Sequence, residues 1–331
     1  MPTTSVPGGF AALGFVGTNV VSVGRGGDVA VFQVAAQAGA VSSSQVGGGS
    51  LQAPLASARF TGGSESAVWI GTATGDVGLA QLEQLGTPQA VTAIAKTDSM
   101  VLGLSPVPAA GPSIVASSAG TASCALWDAR APGGEPATRI PLPQRAFSLD
   151  SSPTSLSLLA ATADRHLILV DLRRPTEPLM ARLSPLRYQT RVARFDPTGK
   201  YFVLGGVDGR AAVVSVSPPT HQPDPNDFKF AVARSKTETH FVNDVSFHPT
   251  AGAFCLAGGD GVVSAFTRSK MQLFRLPPAG GTSASCVSFA PDGSAIVVGY
   301  SYDYGRGGQA YTDQASIFMR PVAPNEMAQK R

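Results

Sequence analysis

The sequence predicts an all-β protein, a β-propeller of seven four-stranded blades in one domain spanning residues 1–331. Three observations carry this. A turn followed by an alternating apolar run recurs at a near-constant spacing, a second hairpin recurs upstream of it, and the composition is rich in turn formers and poor in charge.

The recurring turn is seen six times: Gly26-Gly27-Asp28-Val29-Ala30-Val31-Phe32, Gly75-Asp76-Val77-Gly78-Leu79, Gly120-Thr121 leading into Cys124-Ala125-Leu126-Trp127-Asp128, Asp164-Arg165-His166-Leu167-Ile168, Asp208-Gly209-Arg210-Ala211-Ala212-Val213, and Asp260-Gly261-Val262-Val263-Ser264. The turns fall near positions 28, 76, 121, 164, 208 and 260, with spacings of 48, 45, 43, 44 and 52 residues. That matches the period of roughly 40–45 residues expected of a propeller blade. Asp-Gly supplies the positive φ that a tight hairpin demands, and the alternation places every second side chain on a buried face. Asp164, Asp208 and Asp260 are therefore read as turn and capping groups.

The second hairpin is an apolar-x-Phe strand end, then Pro, then Gly: Val192-Ala193-Arg194-Phe195-Asp196-Pro197-Thr198-Gly199, Val245-Ser246-Phe247-His248-Pro249-Thr250-Ala251-Gly252 and Val287-Ser288-Phe289-Ala290-Pro291-Asp292-Gly293. The third copy lies beyond the sixth turn, so a seventh blade follows it, and the two ends of the chain are expected to share a blade. Composition agrees: 37 Gly and 26 Pro suit many short strands, while 43% hydrophobic and 14% charged residues suit a packed core. The stretch at 41–50 reads as a flexible surface loop and 321–331 as an irregular tail.

Several function classes lack their motifs. There is no P-loop, no His-Glu-x-x-His and no Gly-x-Ser-x-Gly, so the chain reads as no enzyme, with no cofactor, metal or small-molecule substrate. Gly24-Arg25-Gly26-Gly27 and Gly305-Arg306-Gly307-Gly308 read as turns, since no helix follows to hold a phosphate. His166, His221, His240 and His248 are scattered, and Cys124, Cys255 and Cys286 form no Cys-x-x-Cys, so they read as buried thiols. No secretory leader and no apolar run of about 18 residues is visible, so neither secretion nor a membrane is expected. Charge is uneven. Residues 1–172 hold 7 Lys/Arg against 10 Asp/Glu, and residues 173–331 hold 18 against 12. A basic second half suits an acidic partner, peptide or nucleic acid, or else is a solvated face.

Against this background several strings resemble one WD-repeat family. They are Trp127-Asp128, Ser184-Pro185-Leu186-Arg187-Tyr188-Gln189-Thr190-Arg191, Val207-Asp208-Gly209-Arg210, Phe228-Lys229-Phe230 with Arg234, Phe241-Val242-Asn243-Asp244-Val245-Ser246-Phe247-His248-Pro249, Ser301-Tyr302-Asp303-Tyr304-Gly305-Arg306-Gly307 and Ile317-Phe318-Met319-Arg320-Pro321-Val322. The family has two branches, the nuclear-pore mRNA export factor and the mitotic-checkpoint protein of the kinetochore. Both are seven-bladed propellers that bind an acidic partner segment, the GLEBS motif. The resemblance covers about residues 120–331; residues 1–119 match only as generic blades. This chain departs from the family in having no Gly-His dipeptide, in Ala231-Val232-Ala233 where a basic run is usual, and in Phe266 where a Trp is usual.

The Ser-Pro-Leu opening, the Ser-Tyr-Asp string and the Pro-Val ending resemble the export branch more. The resemblance thus implies a non-enzymatic scaffold at the nuclear envelope and pore, also cytoplasmic, binding a GLEBS-type segment of a phenylalanine-glycine-repeat nucleoporin. A weak RNA contact through the basic half is a secondary expectation. The other branch would instead bind a checkpoint kinase at mitotic kinetochores. The implied partner site lies on the face of the fifth to seventh blades, with Arg210 pairing a partner carboxylate, Phe230 and Phe266 forming an apolar floor, and Arg234 and Arg268 a charged rim. Phe266 reads equally as a residue packed between blades. Phe230, after Pro223, Pro225 and Asp227, is expected in a connecting segment.

Overall fold

The computed structural model describes residues 3–7, 9–37, 40–51, 53–60, 67–85, 90–131, 135–216, 227–269, 271–279, 282–305, 307 and 314–327. Strand β1 (Thr3–Pro7) opens the chain. Blade 1 follows with β2 (Phe10–Val16), β3 (Asn19–Gly24), β4 (Asp28–Gln37) and β5 (Ala40–Ser50), and blade 2 with β6 (Leu55–Phe60), β7 (Ala67–Thr72), β8 (Asp76–Gln81) and β9 (Val91–Lys96). Blade 3 holds β10 (Gly103–Pro106), β11 (Ile114–Ser118), β12 (Ser123–Asp128) and β13 (Thr138–Pro141). Blade 4 holds β14 (Ala146–Ser151), β15 (Ser157–Thr162), β16 (His166–Asp171) and β17 (Pro178–Leu183). Blade 5 is β18 (Thr190–Phe195), β19 (Tyr201–Gly206), β20 (Arg210–Ser215) and β21 (Phe228–Ala231). Blade 6 is β22 (Val242–Phe247), β23 (Ala253–Gly258), β24 (Val263–Thr267) and β25 (Gln272–Leu276). Blade 7 is β26 (Ala284–Phe289), β27 (Ala295–Tyr300) and β28 (Gln314–Pro321), completed by β1, which pairs antiparallel with β28 from Thr3↔Phe318 to Pro7↔Gln314. The expected seven-bladed propeller, with its two chain ends in one blade, is the observed fold.

Burial follows position in the blade. The second strands β7, β19, β23 and β27 are buried at every residue, because neighbouring blades cover both faces. An outer strand such as β17 leaves four of its six residues exposed, Leu179 and Leu183 among them. Among the described residues the buried apolar side chains form seven clusters, one at each junction between adjacent blades. The junction of blades 5 and 6 is the aromatic one, with Phe230, Phe254 and Phe266 in contact.

The turn residues act as the sequence suggests. Gly209 (φ 71°) and Gly261 (φ 80°) are left-handed. A Cβ at Gly209 would also collide with the Ala233 carbonyl, so this position excludes side chains twice over. Blade 4 places Arg165 (φ 67°) at the equivalent point. His248 caps its turn, its Nδ1 accepting from the Thr250 and Ala251 amides at 3.2 and 3.1 Å. The three cysteines are buried, and burial pushes the Cys124 and Cys286 thiols up to about 12.

Two expectations need correction. Residues 41–50 are not a flexible loop but most of β5, paired with β4 from Asp28↔Ser50 to Gln37↔Ala40. Backbone pairing outweighs a Gly/Ser composition that offers little side-chain packing. Beyond β28 the described chain holds one 3-10 turn, Pro324–Glu326, with Val322 and Met327 buried against the junction of blades 6 and 7 and Arg320 Nη2 paired with Glu326 at 3.0 Å. Residues 328–331, like Pro223, Pro225 and Arg306, lie outside the described residues. Phe230 stands in β21 and is buried, not in a connecting segment.

Adjacent blades share no strand pairing, so amides of the inner strands are satisfied by side chains reaching across. Ser148 Oγ accepts from the Ala193 amide (3.0 Å), Asp150 Oδ2 from Phe195 (2.7 Å), Asp244 Oδ2 from Val287 (3.1 Å) and Ser246 Oγ from Phe289 (3.0 Å). Unmade, each such bond would leave a buried donor at a cost of about 1–3 kcal/mol.

Two outcomes follow. Truncating the chain to remove β1 should re-expose the edge of β28, lower Tm by ~10 °C and promote self-association; calorimetry and gel filtration read both, and an unchanged Tm would contradict closure by this strand. The second concerns Asp150, whose carboxyl burial pushes up to about 7, opposed by the Phe195 amide and Arg59 and reinforced by Asp244. It is therefore protonated in the fold over a range, from about pH 4, where the unfolded chain has already released its proton. Stability is lost as pH rises through that range towards about 7. Asp150→Asn keeps an acceptor for Phe195 and removes the charge. It should flatten the fall of Tm between these pH values, and an unaltered profile would refute the assignment.

Candidate binding face

The first strand of each blade runs inward from one face, here called the upper, and the third runs in the same direction. The upper face therefore carries the turns between second and third strands and the connections between blades. Arg210 begins β20 and Arg234 lies in the connection from β21 to β22, so both belong to the upper face. They converge on Asp208, with Arg210 Nε 3.4 Å and Arg234 Nη1 3.7 Å from its Oδ2. Arg234 Nη1 also donates to the Asp208 carbonyl at 3.1 Å, and residue 234 bridges Thr239.

The Asp208 side chain is only 8% exposed, and neither of its oxygens receives a hydrogen bond of good geometry. The two guanidiniums, 38% and 29% exposed, thus neutralise a buried carboxylate through distance alone and keep most of their N–H donors for another acceptor.

Phe230 and Phe266 do meet, with ring centroids 4.8 Å apart and planes at 61°. They meet inside the junction of blades 5 and 6, where Phe230 is 5% and Phe266 7% exposed. Of the two readings for Phe266, packing between blades is the one observed. Arg268 is not brought to this rim. It follows the lower end of β24, and its guanidinium lies 4.6 Å from the ring centroid of Tyr201, the first residue of β19, towards the lower face. The five residues therefore divide into an upper cationic pair, a buried aromatic pair beneath it and one arginine on the opposite side.

A second feature of the upper face was not singled out from the sequence. Six of the seven inner strands open with a one-residue bulge, which strands Ala11, Ala56, Phe147, Arg191, Asn243 and Ser285 between paired neighbours. All six line a cavity of about 410 Å³ at the centre of the ring. Bulges re-aim side chains, and here they turn one residue per blade into the opening. Phe60, at the end of β6, also lines the cavity, and its ring packs so closely on blade 1 that a Cβ on Gly14 would stand 2.8 Å from it.

Arg25, Arg59, Arg191 and Arg194 share this cavity with Asp244 and Asp303. Arg194 Nη2 lies 3.5 Å from Asp244 Oδ1. Asp303 is held by the Asn243 amide (3.0 Å) and the Gly305 backbone (2.9 Å). Arg191 sits 4.8 Å over the Phe241 ring, and burial, aided by the charge of Arg25 and opposed by Asp303, holds its pKa below the ordinary value. The string Tyr188-Gln189-Thr190-Arg191 was the available signal for Arg191. Arg25 and Arg59 had none, because only ring closure brings them near residue 191.

Among the described residues no group of three or more His, Cys, Asp or Glu is placed to hold a metal, and no helix is long and apolar enough to cross a membrane. No family model matches the chain. Curated relatives do. The mitotic checkpoint protein bub-3 of Caenorhabditis elegans is 35% identical over 201 residues, 58% of this chain and 57% of that protein. The poly(A)+ RNA export protein of Schizosaccharomyces pombe is 28% identical over 207 residues, 61% and 57%. The mitotic checkpoint protein BUB3.1 of Arabidopsis thaliana is 33% identical over 231 residues, 67% and 66%. The chain thus spans less than two thirds of the length of each of these relatives. It is a closed seven-bladed propeller similar in sequence both to mitotic checkpoint bub-3 proteins and to poly(A)+ RNA export proteins.

Proposed function

We propose that the protein is a non-enzymatic scaffold that docks an acidic, GLEBS-type segment of a phenylalanine-glycine-repeat nucleoporin on its upper face and works in mRNA export at the nuclear pore. The observation that carries this reading is the Arg210–Asp208–Arg234 cluster. Two half-exposed guanidiniums are fixed side by side on a rigid rim, with donors to spare for a partner carboxylate, and Arg forks suit that task. The export-like strings Ser184-Pro185-Leu186 and Ser301-Tyr302-Asp303 choose the branch. Phe230 and Phe266 serve as the buried support of the rim rather than as a contact surface, and Arg268 stands outside the docking face. RNA, if it touches the basic half, does so through phosphates and is released by salt.

A second reading has its own support. The checkpoint relatives above match at 35% and 33% identity, against 28% for the export protein. On that reading the same rim takes the acidic segment of a checkpoint kinase at mitotic kinetochores.

Two measurements test these readings. Titrating an acidic GLEBS-type peptide should give Arg210→Ala and Arg234→Ala affinities weaker by about 2 kcal/mol, with Arg268→Ala unchanged and circular dichroism intact in all three. Equal affinity in the two rim variants would take the partner off this face. In cells, a tagged chain should mark the nuclear rim between divisions; signal confined to unattached kinetochores in mitosis would favour the checkpoint branch.

A further inference from the structure

We infer that the central cavity is a separate binding site for a small polyphosphorylated anion, held by Arg25, Arg59 and Arg191. The argument begins from charge. Four arginines share a space of about 410 Å³, and among the described residues only Arg194 has a carboxylate within 4.0 Å. Asp303, the other acidic group lining the cavity, is hydrogen-bonded by Asn243 and the Gly305 amide and lies beyond ion-pair distance of these arginines, so its charge opposes theirs from further off. Three guanidiniums are therefore gathered with no direct ion pair, and four arginines line the cavity against two carboxylates.

Such an arrangement is unfavourable in a fold unless something offsets it. Arg191 is largely withdrawn from water, and this burial is the main cause of its lowered pKa; the charge of Asp303 opposes the shift and that of Arg25 adds to it. The cation–π contact with Phe241 orients its plane but does not neutralise it. The chain places it there by a bulge, which aims the side chain into the opening instead of the blade junction.

The geometry also selects the ligand. Arg25 comes from blade 1, Arg59 from the adjacent blade 2 and Arg191 from blade 5, so the cations reach the cavity from three different blades. A single carboxylate answers one of them. An anion with two or three linked phosphoryl groups answers all three, and each planar fork can take a phosphoryl oxygen pair. The volume lies within the usual range for small-ligand sites.

The site is distinct from the Asp208 rim, and the test separates them. Inorganic tripolyphosphate is the probe, added to the full chain at low salt and followed by isothermal titration calorimetry. We expect saturable binding near one per chain that weakens as salt is raised. Arg191→Gln and Arg59→Gln should each raise Kd tenfold or more, and so should Arg25→Gln, whose exposed side chain makes it a replacement the fold tolerates. Arg191→Lys should give an intermediate value, since it keeps the charge but not the fork. Arg210→Ala should bind as the wild type does. No binding at millimolar probe overturns the inference, as does equal affinity in all three glutamine variants. Binding lost in Arg210→Ala but kept in Arg25→Gln and Arg191→Gln also overturns it, and would assign anion recognition to the rim alone.

Discussion

The pairing of β1 with β28 is the constraint on which the rest of the structure depends. A stack of seven blades without it would end in two open sheets, each exposing strand edges and one apolar face. With it, the outermost strand of blade 7 comes from the beginning of the chain, and every blade acquires two neighbours. The seven apolar junctions then close on each other, which is why the second strands can be apolar throughout and still be covered on both faces. Closure also explains the polar side chains that reach between inner strands. No blade can splay to let water satisfy the amides of Phe195 or Val287, so Asp150 and Asp244 supply the acceptors.

Closure sets the electrostatics of the ring interior as well. Burial raises the carboxyl pKa of both Asp150 and Asp244, and the guanidiniums of Arg59 and Arg194 are the nearby charges that oppose it or pair with it. Arg194 is thus structural, since it pairs with Asp244, a carboxylate that serves as an amide acceptor. Among the described residues Arg25, Arg59 and Arg191 have no carboxylate at ion-pair distance and are the surplus charge of the cavity.

How much of this was legible in the sequence depended on how local the physics was. Turns were legible, because Asp208-Gly209 and Asp260-Gly261 state their backbone geometry in two residues, and even Arg165 at a left-handed position left the period intact. Blade count and the pairing of chain ends followed from that period. Outer strands were less legible. β5 is Gly- and Ser-rich and shows no apolar alternation, and the Phe228-Lys229-Phe230 alternation of β21 is only four residues long behind a Pro-rich segment, yet both complete their sheets by backbone pairing. Arg210 and Arg234 were identifiable as neighbours on one rim because the turn before β20 and the connection after β21 belong to one blade. Arg268 was misplaced because a strand of five residues carries the chain from one face to the other, and proximity in sequence to Phe266 hides that. The cavity was invisible for a stronger reason: its arginines come from blades 1, 2 and 5, and no local pattern records a ring.

The two cationic features differ in a way that bears on what each can recognise. At the rim, Asp208 is buried and already offsets part of the charge of Arg210 and Arg234, so the pair is held in position at little electrostatic cost and presents donors more than net charge. Such a site discriminates by the direction of its hydrogen bonds and suits a carboxylate delivered on a peptide that makes further contacts along the surface. In the cavity four arginines outnumber two carboxylates, and the charge is distributed around a wall. There the field rather than any one bond dominates, and the volume suits small ligands rather than a chain. A propeller with both features can hold a partner on its rim while its centre stays open to a different ligand, and the Asp208 carboxylate keeps the first site from becoming a copy of the second.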